Sequence, residues 1–224
     1  THPAIAVAEL MRLLIDQYQV GWDKAWNITT SSVAYTNHTL LPEALEKWDL
    51  GLFNDLLPRH LEIIYEINWR FLQQLRLRYP GDDKILQKLS IIDEEGSKSV
   101  RMAHLATIGA HHINGVATLH SDLIKRQLLP EFAALWPEKF TNVTNGVTPR
   151  RWVALSNPSL SNLLEKEVGP NWITNMELLK KLEEKKDNND FLQKFEETKL
   201  NGKRKLASFI HSKTGILVDP SSLF

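Results

Sequence analysis

The sequence predicts a predominantly helical fold with a few short strands. Apolar residues recur at helical spacing over several long stretches. The strand-like runs are brief and lie beside turn signals. Of the 224 residues, 42% are hydrophobic, enough to build a core and too many for wholesale disorder.

Pro3 suits a first helical position, and Ile5, Ala8, Leu10, Leu13 and Leu14 follow at helical spacing through Asp16. A second helix is expected from Trp22-Asp23, with Asp23 as its N-cap. Ser31 to Thr39 is polar and β-like, and a short helix is expected near Pro42. The longest helix is expected over 58–77, with Leu61, Ile64, Tyr65, Phe71, Leu72 and Leu75 near one stripe, stopped by Tyr79-Pro-Gly-Asp-Asp83. A short strand is expected within 99–108, a helix over 113–127, and a helical connection over 130–137. Thr141-Asn-Val-Thr-Asn-Gly-Val-Thr-Pro149 resembles a hinge between two bodies, because Asn-Gly and Thr-Pro favour non-helical backbone. Helices are then expected through Trp152, from Pro158, and over 175–186 and 188–213.

Lys plus Arg equals Asp plus Glu at 27 each, which argues against nucleic acid or an anionic membrane as a partner recognised by net charge. The chain has no cysteine, so disulfides and thiolate metal sites are excluded, and a reducing compartment such as cytosol or plastid stroma fits. No apolar run approaches the roughly 20 residues that span a bilayer. Both ends, Thr1-His-Pro3 and Ile216 to Phe224, read as cuts in a longer chain.

His104, His111, His112 and His120 crowd together, but without the spacing of a zinc site, so hydrogen-bonded or interior histidines are expected and no metal. There is no Gly-x-Ser-x-Gly elbow and no Gly-rich phosphate loop. Asp93-Glu-Glu95 and Glu183-Glu184 read as solvated faces before they read as a glycosidase pair. Two other segments are dense in neutral hydrogen-bonding groups: Tyr35-Thr-Asn-His-Thr39, and His112-Ile-Asn-Gly-Val116 with Thr144-Asn-Gly146. Amides, imidazoles and backbone groups match sugar hydroxyls without a net charge cost. The same residues also read as Asn-Gly turns with His38 a satisfied interior residue, and composition leaves both readings open.

Longer matches go further. Thr1-His-Pro3 with Glu9-Leu-Met11, Ala34-Tyr-Thr-Asn-His-Thr39, Leu41-Pro-Glu-Ala-Leu-Glu46, Leu57-Pro-Arg-His60, Ile63-Ile-Tyr-Glu-Ile-Asn68, Met102-Ala-His-Leu105, Asn114-Gly-Val116, Thr144-Asn-Gly-Val-Thr-Pro-Arg-Arg-Trp152 and Asp219-Pro-Ser-Ser-Leu-Phe224 resemble, in order, the glycogen, starch and maltodextrin phosphorylases. That resemblance implies an α/β parent of GT-B glycosyltransferase type. The parent would release glucose 1-phosphate from an α-1,4-glucan with inorganic phosphate and use pyridoxal 5'-phosphate, whose own phosphate takes part in proton transfer. A homodimer in the cytoplasm or a plastid is implied as well.

The resemblance also implies roles. His38 would be the catalytic-site histidine that hydrogen-bonds the glucose 6-hydroxyl. Asn145 would hold another hydroxyl, Val116 would wall the pocket, and Glu46 would edge the cleft. Trp152 would lie near the cofactor. Tyr65, Asn68, Glu94 and Lys98 would form a second glucan-docking surface, an aromatic face with polar groups; as plain sequence they read equally as a solvated helix face. Residues 1–143 would end an N-terminal glucan-binding domain, and residues 144–224 would begin a C-terminal cofactor-binding domain. The cofactor lysine and a basic phosphate motif would lie beyond Phe224, and a Gly-rich loop before Thr1. The chain alone is therefore expected to be inactive. A non-catalytic α-glucan-binding module is the alternative, and a plain interaction domain the third reading.

Overall fold

The computed structural model describes residues 2–222, apart from the side chain of His2. Thr1, Leu223 and Phe224, which belong to the quoted terminal motifs, lie outside the described residues. The chain forms two compact units, Thr1–Asn145 and Gly146–Phe224.

In the first unit, α1 (Ala6–Arg12) continues into a wider helical turn, Leu13–Gln17. Then come α2 (Trp22–Ser32), β1 (Tyr35–Thr36), a 3-10 turn at Pro42–Ala44, β2 (Lys47–Asp49) and α3 (Leu50–Leu56). The N-cap of α2 lies two residues earlier than expected. Gly21 holds the N-cap position, and Asp23 lies in the first turn, where its charge still favours the helix dipole. The short α3 is capped by Asp49, which accepts from the Leu52 amide at 3.0 Å.

The long helix α4 (Pro58–Arg78) opens on proline and buries Leu61, Ile64, Ile67, Phe71 and Leu75 along one stripe. Asp82 caps α5 (Asp83–Leu89) by accepting from the Ile85 amide at 3.1 Å. After β3 (Ile92–Asp93), the expected strand over 99–108 resolves into β4 (Ser99–Arg101) followed by α6 (Met102–Gly109). The expected helix from Ile113 begins instead as β5 (Ile113–Gly115), followed by α7 (Thr118–Leu123) and a helical turn to Leu128. The chain then forms α8 (Pro130–Leu135) and β6 (Phe140–Asn142).

Two three-stranded sheets result, β1-β5-β6 and β2-β4-β3. The first is all parallel, with Tyr35 opposite Ile113 and Ile113 opposite Phe140. Parallel neighbours need a crossover, and α7 with α8 supplies the one between β5 and β6. Being covered, the central strand carries a fully buried Ile113. The second sheet is antiparallel. Met11, Phe53, Ile64, Ile91, Val100 and Leu105 are at or near zero exposure in the core that joins these elements.

In the second unit, a helical turn at Arg150–Leu155 precedes α9 (Pro158–Val168), 3-10 segments at Pro170–Ile173 and Met176–Lys185, and α10 (Asn189–Thr214). The asparagines Asn157, Asn175 and Asn188 cap three of these segments through their side-chain oxygens. Gly215 closes α10 at φ 75°, a left-handed conformation that favours glycine. Among its described residues, Leu163, Leu164, Trp172 and Ala207 are the buried apolar ones, and Lys185 pairs with Glu167. Among the described residues, no helix is long and apolar enough to cross a membrane, and no cluster of His, Cys, Asp and Glu is arranged to hold a metal ion.

Candidate sugar site and glucan-docking cleft

The neutral segments singled out in the sequence meet at one place, the carboxyl edge of the parallel sheet. The Asn37 amide donates to the Asn114 carbonyl at 2.9 Å, which continues the β1-β5 pairing into the residue before His38. On the other side, the Val143 amide donates to Gly115 O at 3.2 Å and the Asn145 amide to Val116 O at 2.9 Å. His38, Val116 and Asn145 therefore all leave the sheet at the same end. In open parallel sheets, the crevice beyond the carboxyl ends of the strands is where ligands bind.

Both His38 and Asn145 are exposed, and Val116 is half-buried. That corrects the reading of His38 as an interior residue. Its loop follows strand residues held by hydrogen bonds, and its imidazole is on the surface, able to meet a ligand.

Beneath that surface a buried network fixes the loop. Asn37 is 2% exposed. Its Nδ2 donates to the Tyr35 hydroxyl at 3.1 Å, and its Oδ1 accepts from the Thr39 amide at 3.2 Å. His120 Nδ1 accepts from the Val116 amide at 3.1 Å, so the ring proton sits on Nε2 and is donated to Asn37 Oδ1 at 3.0 Å. His120 thus ties the His38 loop to the Val116 turn. Burial pushes the Tyr35 phenol upward, opposed in part by its Asn37 bond, so the hydroxyl stays protonated.

A second brace serves the Asn145 side. Ser121 Oγ donates to Asn142 Oδ1 at 2.7 Å, and Asn142 Nδ2 donates to Thr144 Oγ1 at 3.1 Å. Next to it, a Cβ on Gly115 would meet Ser121 Oγ at 2.5 Å and Ser121 Cα at 2.8 Å. Only glycine permits so close an approach of β5 to α7. Thr36 Oγ1 donates to Asn114 Oδ1 at 2.8 Å, keeping the edge polar and uncharged. Such a surface can bind a neutral polyol by donating and accepting in turn.

Glu46 lies on a different framework. Its carbonyl accepts from the Met102 amide at 3.1 Å, at the start of the antiparallel sheet. Trp152 belongs to the second unit, 63% exposed on the turn Arg150–Leu155.

The second predicted surface is a cleft of about 520 Å³ lined by Tyr65, Asn68, Trp69, Arg76, Gln87 and Glu94, among others. Tyr65, Asn68 and Glu94 are brought together there. Lys98 is exposed and is not among the lining residues; its carbonyl accepts from the Leu50 amide at 3.0 Å. Tyr65 is 44% exposed and offers a ring face, whereas Asn68 is 8% exposed. The Asn68 amide is committed to the protein, donating to Ser90 Oγ at 3.1 Å and accepting from the Ile91 amide at 2.7 Å. It shapes the wall of the cleft.

Sequence reasoning missed Asn37, His120, Ser121 and Asn142 as the groups that position the site. The i, i+4 relation of Val116 to His120 at a helix start was the available signal. The other three of the four crowded histidines have partners: His104 Nδ1 donates to Ser90 O at 2.9 Å, and His111 and His112 meet each other at 2.7 Å.

The profile of the carbohydrate phosphorylase family matches residues 1–224. A glycogen phosphorylase of Synechocystis sp. is 59% identical over 224 residues, which is 100% of this chain and 26% of the relative. A glycogen phosphorylase of Chlamydia trachomatis is 50% identical over 224 residues, 100% of this chain and 28% of the relative. The human brain-form glycogen phosphorylase is 46% identical over 224 residues, 100% of this chain and 27% of the relative. The chain spans about a quarter of the length of these curated relatives. With a profile matched from end to end, this chain belongs to the carbohydrate phosphorylase family.

Proposed function

We propose that the chain supplies the glucose-gripping part of an α-1,4-glucan phosphorylase of GT-B architecture. The whole protein would break the terminal glycosidic C–O bond of glycogen, starch or maltodextrin and form a C1–O bond to inorganic phosphate, releasing glucose 1-phosphate. The observation that carries this reading is the meeting of His38, Val116 and Asn145 at the carboxyl edge of one parallel sheet. His38 hydrogen-bonds the 6-hydroxyl, Asn145 takes another hydroxyl, Val116 walls the ring, and Glu46 edges the cleft. Residues 1–143 act as glucan-binding domain, and residues 144–224 begin the cofactor-binding domain. The names of the relatives support glycogen as the polymer, a dimer is the expected assembly, and the cytoplasm or a plastid is the expected compartment.

Pyridoxal 5'-phosphate, when bound, supplies a phosphate group that moves a proton to or from the substrate phosphate. Of this chain's residues, Trp152 would wall the planar ring of that group with its exposed indole. Its phosphate needs cations as well, and the family's cofactor lysine and basic phosphate motif match no segment of these 224 residues. Two phosphates brought together without those groups repel strongly, so the 224-residue chain alone is expected to give no turnover.

The test is a coupled assay for glucose 1-phosphate on the intact protein. His38→Ala and Asn145→Ala each lower kcat/KM by about 10²-fold, as expected for donors aimed at a developing transition state. Unchanged turnover in both variants would sink the reading. The second reading, a non-catalytic glucan-binding module, is favoured by the Tyr65 cleft. It predicts glucan binding lost in Tyr65→Ala and kept in His38→Ala, with no turnover.

A further inference from the structure

A second cleft lies on the other side of α4. It has a volume of about 650 Å³, within the range of about 300–1,000 Å³ that small-molecule sites occupy. Trp22 and Trp26 line it from α2, four residues apart and so on one face of the helix. Trp136 lines it from the turn after α8, and Trp69 from α4.

The charges in its wall cancel: Asp23 and Glu138 against Arg70 and Lys139. Both cations are already engaged. Arg70 pairs with Glu66 at 2.6 Å and with Asp23 at 3.3 Å, and its guanidinium lies 4.8 Å over the Trp22 ring. Lys139 Nζ lies 4.0 Å over the Trp136 ring. An anionic ligand such as a nucleotide or a phosphate would meet as many carboxylates as cations in this wall. The remaining polar lining is Thr30, Ser31, Gln73, Gln74 and the imidazole of His111. Indole faces beside hydroxyls and amides suit a neutral pyranose, which has an apolar C–H face and a rim of hydroxyls.

Trp69 connects this cleft to the Tyr65 cleft, because it lines both. It is 56% exposed, yet its indole is held. With the Gln73 amide oxygen turned toward them, Trp69 Nε1 donates to it at 3.1 Å and Arg76 Nη1 at 2.7 Å. An exposed ring fixed in this way is a prepared stacking platform, since little side-chain freedom is lost when a ligand lands on it.

We infer that the cleft of Trp22, Trp26 and Trp136 is a further glucan-binding site, reached from the Tyr65 cleft by a chain that crosses α4 over Trp69. The inference rests on the reading of the Tyr65 cleft as a glucan-docking surface and extends it to a second face of the same helix. A chain that bridges both clefts gains the affinity of two linked sites.

The test uses the intact protein and maltoheptaose carrying a diazirine, with adducts mapped by mass spectrometry. Adducts are expected on segments 22–31 and 136–139 as well as on the Tyr65 cleft, and unlabelled maltoheptaose suppresses both. Ser31 is exposed at the end of α2, so Ser31→Trp blocks the cleft from the surface without touching the core. That variant should cut adducts on 22–31 and 136–139 at least fivefold and leave those at the Tyr65 cleft unchanged. Adducts confined to the Tyr65 cleft overturn the new site and leave the first reading standing. Adducts at neither cleft overturn both. Adducts on 22–31 that Ser31→Trp does not reduce also overturn the assignment.

Discussion

Thr29 carries a buried hydroxyl with nothing to bond. The residue is 0% exposed within α2, and its Oγ1 has no hydrogen-bond partner. A buried polar group left unpaired costs about 1–3 kcal/mol, whereas a methyl of the same shape costs nothing of that kind. Thr29→Val is therefore expected to stabilise the first unit by about 1 kcal/mol, read as a higher urea midpoint at unchanged slope. A lower midpoint would mean that the hydroxyl is satisfied in solution. His104 sets a pH dependence. Burial, then the nearby Arg101, push its imidazole down from 6.5 to about 4, and it packs edge-on to Phe132 with ring centroids 5.1 Å apart. Between these values the unfolded chain binds a proton that the folded chain does not, so stability rises with pH across the window. On acidification it is lost from about pH 6.5 down to about 4, by about 3 kcal/mol in all. His104→Phe should flatten that limb of a stability-versus-pH curve. Glu9, held down to about 2 chiefly by its Arg12 hydrogen bond, gives a separate loss as pH falls from about 4.5 toward 2, and that loss should persist in the variant.

At the level of elements, the approach of β5 to α7 is the tightest constraint on the site. A Cβ at residue 115 would meet the Ser121 backbone, Cα and N both at 2.8 Å, so a helix start must move and no rotamer can absorb the clash. Gly115→Ala is expected to cost about 2–3 kcal/mol and to loosen the Ser121–Asn142 brace under Asn145. Gly146→Ala, with no atom within 4 Å of the added Cβ, should stay within about 0.5 kcal/mol. Paired urea titrations of the two variants read this directly, and equal midpoints would show that α7 yields freely. The same strand marks the limit of what the sequence disclosed. Long helices were legible because α4 and α10 repeat their apolar or charged pattern over many turns. A three-residue strand such as β5 has no period to read, and its pairing with Tyr35 and Phe140 is set far away in the chain. The region 113–127 therefore read as helix throughout, when only its second part is. The caps of α3 and α5 were readable, since Asp49 and Asp82 each precede a short apolar run, and they went unread. For the candidate site, motif likeness disclosed His38, Val116 and Asn145. It did not disclose His120, whose role exists only once β1 and β5 lie side by side.

For the whole molecule, the two units carry unequal cores. The first buries a continuous cluster that runs from Ala4 to Leu135. The second has Leu163, Leu164, Trp172 and Ala207 as its described buried apolar residues, and the Trp172 Nε1 donor has no partner. Meanwhile Val147, Trp152, Leu155, Phe209 and Leu217 stand more than half exposed. Small units bury a smaller share of their surface and are correspondingly marginal, and an unpaired buried donor subtracts further. Produced by itself, the 224-residue chain is therefore expected to unfold in two steps, with residues 146–222 losing protection first. Hydrogen exchange followed by mass spectrometry across a urea series reads the two units separately, because peptides from α9 and α10 report one and peptides from α4 and α6 the other. Exchange in α10 should reach its unfolded rate at a urea concentration where α4 is still protected. The exposed apolar residues add a concentration dependence: if they associate between copies, protection in α9 and α10 rises with protein concentration while that in α4 does not. A single transition shared by all four helices at every concentration would mean that the second unit draws its stability from the first, and the division of the core argued above would fail.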